Sequence, residues 1–135
     1  MLRYILVPIL LMAALTTYAQ QEKLSDEQLV AIASDGKEVT ASVADLPGVA
    51  PYFHIYSMSG KALKVVANPY LGREFGTGPR AAAMLAEEGV DHLIGYKVPG
   101  PKMMDVLDAN DIQISRFKGT VEQVVEELQR LSGQS

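Results

Sequence analysis

The chain contains no cysteine, no tryptophan and only two histidines among its 135 residues. The lack of cysteine excludes disulfide bonds, thiolate metal sites and a lipid-modified N-terminal cysteine. The two histidines, His54 and His92, are too far apart to form an i, i+4 pair, so no preformed zinc or copper ligand set is visible. Each falls within a predicted strand, where a hydrogen-bonded structural histidine is the ordinary role and metal ligation is the alternative.

The chain also has fewer basic than acidic residues. Twelve lysines and arginines stand against 16 aspartates and glutamates, which leaves a formal net charge of −4. An acidic domain is a poor general binder of nucleic acid or of anionic membranes. We therefore expect no nucleic-acid partner, and any site for an anion must be local, built from a few cations.

The first 19 residues have the pattern of a secretory signal peptide. Arg3 precedes an apolar run over residues 4–15, and the small residues that follow predict cleavage after Ala19. This run is shorter than the roughly 17–25 residues of a membrane-spanning helix, although an uncleaved anchor is the alternative. We expect an exported, periplasmic protein with no membrane span after cleavage. Residues 20–28 are then a flexible leader, and residues 29–133 form one domain.

The pattern of the mature chain predicts the element order β-β-β-α-β-α-β-α. A central strand at 29–33 is apolar on both faces, and strands at 51–56 and 63–67 extend it into an antiparallel meander. A helix at 79–88, a strand at 90–96, a helix at 101–109 and an edge strand at 112–117 follow. These elements predict an α/β fold with a five-stranded mixed sheet, in which three antiparallel strands precede parallel crossovers.

The last helix carries the clearest local signals. Thr120 and Gln123 have the spacing of a capping box at its start. Five apolar residues recur at helical spacing and predict one buried face: Val121, Val124, Val125, Leu128 and Leu131.

Two glycine-proline-basic triplets open predicted helices. Gly78-Pro79-Arg80 begins the first helix, and Gly100-Pro101-Lys102 begins the second. Proline suits a first helical turn, glycine allows close approach to the backbone, and a helix start offers free N–H groups to an anion. If the fold brings the two starts together at the carboxyl ends of the strands, they form an anion pocket.

Four other residues are assigned to this pocket. The segment Gly76-Thr77-Gly78 is suited to wrapping an anion with backbone N–H groups, although it lacks the Gly-Lys-Ser/Thr ending of a nucleotide-binding loop. Lys97 follows a strand and is predicted to be a third cation beside Arg80 and Lys102, and Tyr96 is a candidate for the apolar wall. The alternative is that these are ordinary solvated residues.

Six segments in the same order and spacing resemble the dinitrogenase iron–molybdenum cofactor biosynthesis family, which is NifB- and NifX-like and orange-protein-like. They are residues 32–36 (IASDG), 50–56 (APYFHIY), 68–70 (NPY), 76–80 (GTGPR), 85–91 (LAEEGVD) and 119–121 (GTV). The resemblance implies a ribonuclease-H-like fold and a non-catalytic role. The ligand it implies is an anionic metal–sulfide species: an iron–sulfur, molybdenum–sulfur or molybdenum–copper–sulfur cluster.

One departure keeps a second function open. Members of this family commonly carry a His-Phe-Gly segment before the Pro-Tyr-Phe strand, whereas residues 44–49 here read Ala-Asp-Leu-Pro-Gly-Val. The alternative is a cell-envelope interaction module, binding an envelope partner or a second copy, with no bound cluster. Nuclease activity is not expected, because Asp35 and Asp91 lie at opposite ends of their strands and cannot hold a metal pair.

Overall fold

The computed structural model describes residues 28–72 and 75–133. The predicted signal peptide and all but the last residue of the predicted leader lie outside this range. Five strands form one sheet: β1 (Leu29–Ser34), β2 (Tyr52–Ser57), β3 (Ala62–Ala67), β4 (Val90–Gly95) and β5 (Gln113–Arg116). Three helices accompany them: α1 (Thr77–Glu87), α2 (Pro101–Ala109) and α3 (Val121–Ser132). A short 3₁₀ turn spans Pro47–Val49.

The strands lie in the order β3-β2-β1-β4-β5. Strand β2 runs antiparallel to both β1 and β3. Strand β4 runs parallel to both β1 and β5. The predicted α/β fold with a five-stranded mixed sheet is therefore confirmed, while the ribonuclease-H-like assignment stays a prediction. β1 is central because Val30 to Ala33 are buried on both faces of the sheet.

The helices divide the core into two layers. Helices α1 and α2 cover one face, where Phe53, Leu85 and Leu107 are fully buried. Helix α3 alone covers the other face and packs Val121, Val124 and Leu128 against β1 and its neighbours. This arrangement places α1 and α2 side by side, with their first turns toward the same edge of the sheet.

The first helix begins earlier than the sequence predicted. Its first residue is Thr77 rather than Pro79, and its N-cap is Gly76, with φ 82°. Proline is tolerated throughout a first turn because none of those N–H groups has a partner within the helix. A left-handed residue is what ends the incoming loop, and glycine adopts that conformation without steric cost.

The last helix follows its sequence signals closely. Both hydrogen bonds of the Thr120–Gln123 capping box are present. Leu131 is the exception to the predicted buried face, since it is 54% exposed. No helix among the described residues is both long and apolar enough to cross a membrane.

Candidate functional site

The carboxyl ends of four strands meet at one edge of the sheet. Strands β1, β3, β4 and β5 all run in the same direction, and β2 runs opposite to them. The loops that follow these four strands therefore gather at this edge, together with the first turns of all three helices. Ligands collect at such an edge in open α/β sheets.

The two glycine-proline helix starts lie against each other at this edge. They share an open groove of about 400 Å³. Its lining comes from the 3₁₀ turn, the start of α1 and the start of α2: Leu46, Pro47, Gly48, Val49, Gly78, Pro79, Pro99, Gly100, Pro101, Lys102 and Met103. Of the residues that the sequence assigned to the pocket, the groove thus contains Gly78, Gly100 and Lys102.

Glycine is required where the three segments touch. A Cβ atom on Gly48 would lie 2.9 Å from the Cα atom of Gly78 and 3.0 Å from the sulfur of Met103. A Cβ atom on Gly78 would lie 3.3 Å from the Cβ atom of Met103. A larger residue at Gly48 would push the 3₁₀ turn away from both helix starts, and one at Gly78 would push the helix starts apart. Close backbone approach is therefore what forms the groove.

Asn68 holds the 3₁₀ turn in place from below. Its buried amide nitrogen donates to the carbonyl oxygens of Ala50 at 2.9 Å and Gly48 at 3.4 Å. Its Oδ1 atom accepts the backbone N–H of Tyr70 at 3.0 Å. One side chain thereby satisfies three backbone groups and ties the turn to the loop after β3.

Backbone N–H groups at the start of α2 are available to a ligand. The first bond of this helix is donated by Met104 to Gly100, at 2.9 Å. Lys102 and Met103 precede it, and among the described residues their N–H groups have no protein acceptor. Since Pro101 has no N–H group, these two amides form the positive end of the α2 dipole.

The first backbone N–H groups of α3, in contrast to those of α2, already have acceptors within the protein. Val121 donates its N–H to the carbonyl of Ala41 at 3.0 Å, and Glu122 donates to that of Val39 at 2.8 Å. Gln123 donates to the capping hydroxyl of Thr120 at 3.2 Å. Because these amides already have acceptors, the end of α3 has little to offer an anion.

Arg80 and Lys97 do not line the groove that Lys102 lines. Arg80 is exposed, and its Nε atom lies 3.3 Å from the position that a Cβ atom on Gly76 would take. The ammonium group of Lys97 lies 4.0 Å from a carboxylate oxygen of Asp45, and both side chains are mostly exposed. Gly76 and Thr77 lie at the outer end of α1, where the Thr77 hydroxyl donates to the Tyr70 carbonyl at 3.3 Å. The predicted cluster of three cations is therefore reduced to one at the groove itself.

Tyr96 is separated from the groove by residues 42–45, which cross this edge of the sheet. Ala44 donates its N–H to Ala33 at 2.8 Å, and Tyr96 donates to Ala44 at 3.0 Å. Lys97 donates its N–H to Asp45 at 2.8 Å. The chain thus fills the crevice between β1 and β4, where the strand order reverses. Tyr96 lines a separate hollow of about 290 Å³ beside α3, so it is not a wall of the groove.

The two histidines have different surroundings. His54 is buried, and its Nε2 atom is 2.8 Å from the carbonyl oxygen of Gly36, which fits a structural role. His92 lies on the face of the sheet that α3 covers, away from the groove. Within residues 28–72 and 75–133, no group of three or more histidine, aspartate or glutamate side chains could hold a metal ion.

Residues 40–50 show little periodicity in sequence, and none of them was among the residues assigned to the pocket. Pro47, Gly48 and the flanking Leu46 and Val49 form a whole wall of the groove. A signal was present in the composition: of the seven prolines in the chain, four line the groove. Adjacent glycine and proline residues in three separate segments marked the places where backbones meet.

Comparisons with known proteins agree on one family. The family model described as "Dinitrogenase iron-molybdenum cofactor" matches residues 28–131. The apo form of the orange protein from Desulfovibrio gigas is similar at 29% identity and a TM-score of 0.68, over 79% of this chain and 89% of that one. A putative NifB protein from Thermotoga is similar at 33% identity and a TM-score of 0.62, over 74% and 84%. No protein of curated function shows significant sequence similarity to the chain.

Proposed function

The chain belongs to the dinitrogenase iron–molybdenum cofactor family, and from that premise we propose that it is a non-catalytic carrier or sensor of an anionic metal–sulfide cluster, with the groove between α1 and α2 as the binding site. The observation that carries this proposal is the pair of glycine-proline helix starts in one groove. The free amides of Lys102 and Met103 at the positive end of the α2 dipole, together with the charge of Lys102, favour a negative ligand.

The groove suits a cluster that brings its own ligands. The chain contains no cysteine, so protein thiolates cannot coordinate the metal. A thiometallate is already saturated by sulfide, and its surface sulfurs are large, weakly hydrated and able to accept N–H hydrogen bonds. Apolar walls of proline and valine beside two free amides match such a surface better than they match a strongly hydrated phosphate.

The electrostatic contributions are too small to account for micromolar binding of the cluster by themselves. The two amides, which together form the positive end of the α2 dipole, contribute about 0.5–1 kcal/mol, and one lysine contributes about as much in an open site. Micromolar binding requires about 8 kcal/mol. Contact of the cluster with the apolar walls must therefore supply the larger share, which makes the shape of the groove as important as its charge.

The test is binding of tetrathiomolybdate, alone and with copper(I) or iron(II) salts, followed by gel filtration and metal analysis. We expect molybdenum to elute with the protein. Lys102→Ala should weaken binding about 2–5-fold, and Gly100→Val should weaken it more, because a side chain at residue 100 meets no atom within 4 Å and projects into free space at the groove. Lys61→Ala, at the hairpin on the opposite edge, is the matched control. Molybdenum that elutes entirely apart from the protein would refute the proposal.

Export of the protein is a further part of the proposal, supported by the signal pattern in residues 1–19. Cell fractionation with an antibody to the domain should find a processed chain in the periplasm that begins at Gln20. A chain that retains Met1 and sediments with membranes would indicate an uncleaved anchor instead.

The second candidate function is an envelope interaction module. Two exposed apolar side chains of the groove wall favour it: Leu46 is 49% exposed and Val49 51%. In that case a defined envelope partner should bind equally well to the wild type and to Gly100→Val. Leu46→Asp combined with Val49→Asp should then abolish the interaction.

A further inference from the structure

Three basic side chains surround Tyr96 at the carboxyl edge of the sheet, and residues 42–45 separate them from the groove. The guanidinium of Arg116 donates from Nε to the carbonyl oxygen of Tyr96 at 3.3 Å. The ammonium group of Lys118 lies 5.7 Å from the centre of the Tyr96 ring, and Lys97 is the next residue along the chain. We refer to Tyr96 with these three basic residues as the Tyr96 surface.

The Tyr96 surface has the opposite charge to the chain as a whole. Its three basic residues are all exposed, whereas the formal net charge of the chain is −4. Among the residues that the structure describes, one carboxylate forms an ion pair with this surface, that of Asp45, whose oxygen lies 4.0 Å from the Lys97 ammonium. Positive charge is therefore concentrated on one small part of an acidic protein, where it attracts an acidic partner over about 10 Å.

Most of the charged donors of the Tyr96 surface have no acceptor within the described part of the chain. Arg116 uses its Nε atom alone, so its two terminal nitrogens are available, and the Lys118 ammonium contacts an aromatic ring rather than a carboxylate. The pair of Lys97 with Asp45 is long and mostly exposed. Such a pair is weak, so Lys97 can exchange Asp45 for a carboxylate of a partner.

A hollow of about 290 Å³ beside Tyr96 has room for one side chain of a partner. The hydroxyl groups of Ser42 and Thr120 line it together with Lys118 and Asp45. The Thr120 oxygen accepts the N–H of the capping box, which leaves its own proton free to donate. Two hydroxyl groups and an ammonium group are suitable donors for a carboxylate.

We propose that the Tyr96 surface binds an acidic segment of a partner protein, with one aspartate or glutamate side chain in the hollow. Tyrosine and arginine, which lie side by side here, are the residue types that contribute most often to protein–protein binding energy. A nucleic acid or an anionic membrane presents a long, uniform array of negative charge, which would also meet Asp45 and the acidic remainder of the chain. The proposal concerns a surface outside the groove, so it holds whether or not the groove binds a cluster.

The test measures the binding of a fluorescein-labelled decaglutamate peptide to the purified protein, by fluorescence anisotropy at low salt. Lys97→Ala combined with Lys118→Ala should weaken binding about 5–10-fold. The matched control is Lys61→Ala combined with Lys64→Ala, which removes the same charge from the opposite side of the sheet and should weaken binding less than about 2-fold. Equal losses in the two double variants, or no binding at low salt, would overturn the proposal.

NMR on isotope-labelled protein locates the peptide without any substitution. Decaglutamate should shift the amide signals of Tyr96, Lys97 and Lys118 and leave those of Lys102 and Met103 unchanged. Shifts centred on Lys102 would overturn the proposal, because the peptide would then occupy the groove. Single-stranded DNA and phosphatidylglycerol vesicles should bind more weakly than decaglutamate at the same salt concentration, and tighter binding of either would assign the surface to a nucleic acid or a membrane instead.

Discussion

Gly95 ends strand β4 directly beneath Pro47, and a methyl group added there tests how the wall of the groove is held. A Cβ atom on Gly95 would overlap the Cγ atom of Pro47 and lie 3.2 Å from its Cδ atom. Pro47 is fully buried, so its ring has no free space to enter. Gly95→Ala must therefore displace the Pro47–Val49 turn or strain β4.

The two single changes lower the stability by different mechanisms. Overpacking a buried site costs about 1–3 kcal/mol of stability. Replacing glycine by alanine also lowers the entropy of the unfolded chain, which stabilises the fold by about 0.4–1 kcal/mol. Gly95→Ala should thus lower the free energy of unfolding by about 1–2 kcal/mol. Pro47→Ala removes two buried methylene groups and loosens the unfolded chain, which together cost about 2–2.5 kcal/mol.

The double variant Pro47→Ala with Gly95→Ala shows whether the added methyl group at residue 95 clashes with the proline ring. If Pro47 and Gly95 act independently, the two losses add to about 3–4.5 kcal/mol. If the clash is with the proline ring, as the structure shows, alanine at residue 47 removes it. The Cβ atom of residue 47 lies 3.4 Å from the added methyl group, an ordinary contact. The double variant should then be no less stable than Pro47→Ala alone.

Urea unfolding followed by circular dichroism measures these differences. With a slope of about 1–3 kcal/mol per molar urea, a loss of 2 kcal/mol moves the midpoint by about 1 M. Gly100→Ala is the matched control, since its added Cβ meets no atom within 4 Å and its φ of −66° suits alanine. That control should change the free energy of unfolding by less than about 0.5 kcal/mol, because two effects oppose each other. Alanine lowers the entropy of the unfolded chain, which stabilises the fold, and it is a poorer N-cap for α2 than glycine, which destabilises it. Additive losses in the double variant would refute the proposed packing.

Three further predictions concern single residues. Thr120→Ala removes the capping hydroxyl of α3 and should lower the free energy of unfolding by about 0.5–2 kcal/mol in urea, whereas Thr120→Ser should lower it little; equal losses would contradict the capping role. Asn68→Ala leaves the carbonyl of Ala50 unpaired and should cost about 2–3 kcal/mol in the same assay, with weaker cluster binding because the groove wall loses its support. Burial raises the pKa of Tyr56, so the unfolded chain loses this proton first as the pH rises. The stability that Tyr56 contributes is present below a pH of about 10 and is lost above it. Tyr56→Phe should reduce the loss of stability between pH values of about 9.5 and 11 in urea melts, and an unchanged loss would show that other groups cause it.

Much of the fold could be predicted from local signals. Residues 29–33 are apolar on both faces, which indicates a central strand, and β1 lies in the middle of the sheet. The capping box at Thr120 and Gln123 marks the start of α3 in sequence and in structure. Such signals act over three or four residues or over one period of a helix or strand, so they can be read without knowing the neighbours.

The site depended on contacts between distant segments. Sequence reasoning placed Arg80, Lys97 and Tyr96 at the pocket because each follows a strand or opens a helix. The bonds of Ala44 to β1 and of Tyr96 to Ala44 show instead that residues 42–45 cross the edge and divide it. Residues 40–50 lack periodicity, so nothing local predicted that they would fill the crevice at the switch in strand order.

By itself the sequence determined the family, the order of the elements, the absence of thiolate ligands and the two glycine-proline helix starts, because these depend on residue type and on spacing along the chain. Only the tertiary structure decided that the two starts share a groove with Pro47 and Gly48, that Lys102 is the cation lining it, and that three basic side chains surround Tyr96. The physical reason is that packing brings together residues more than 20 positions apart in the chain. The fit of one glycine against another's backbone leaves no trace in local pattern.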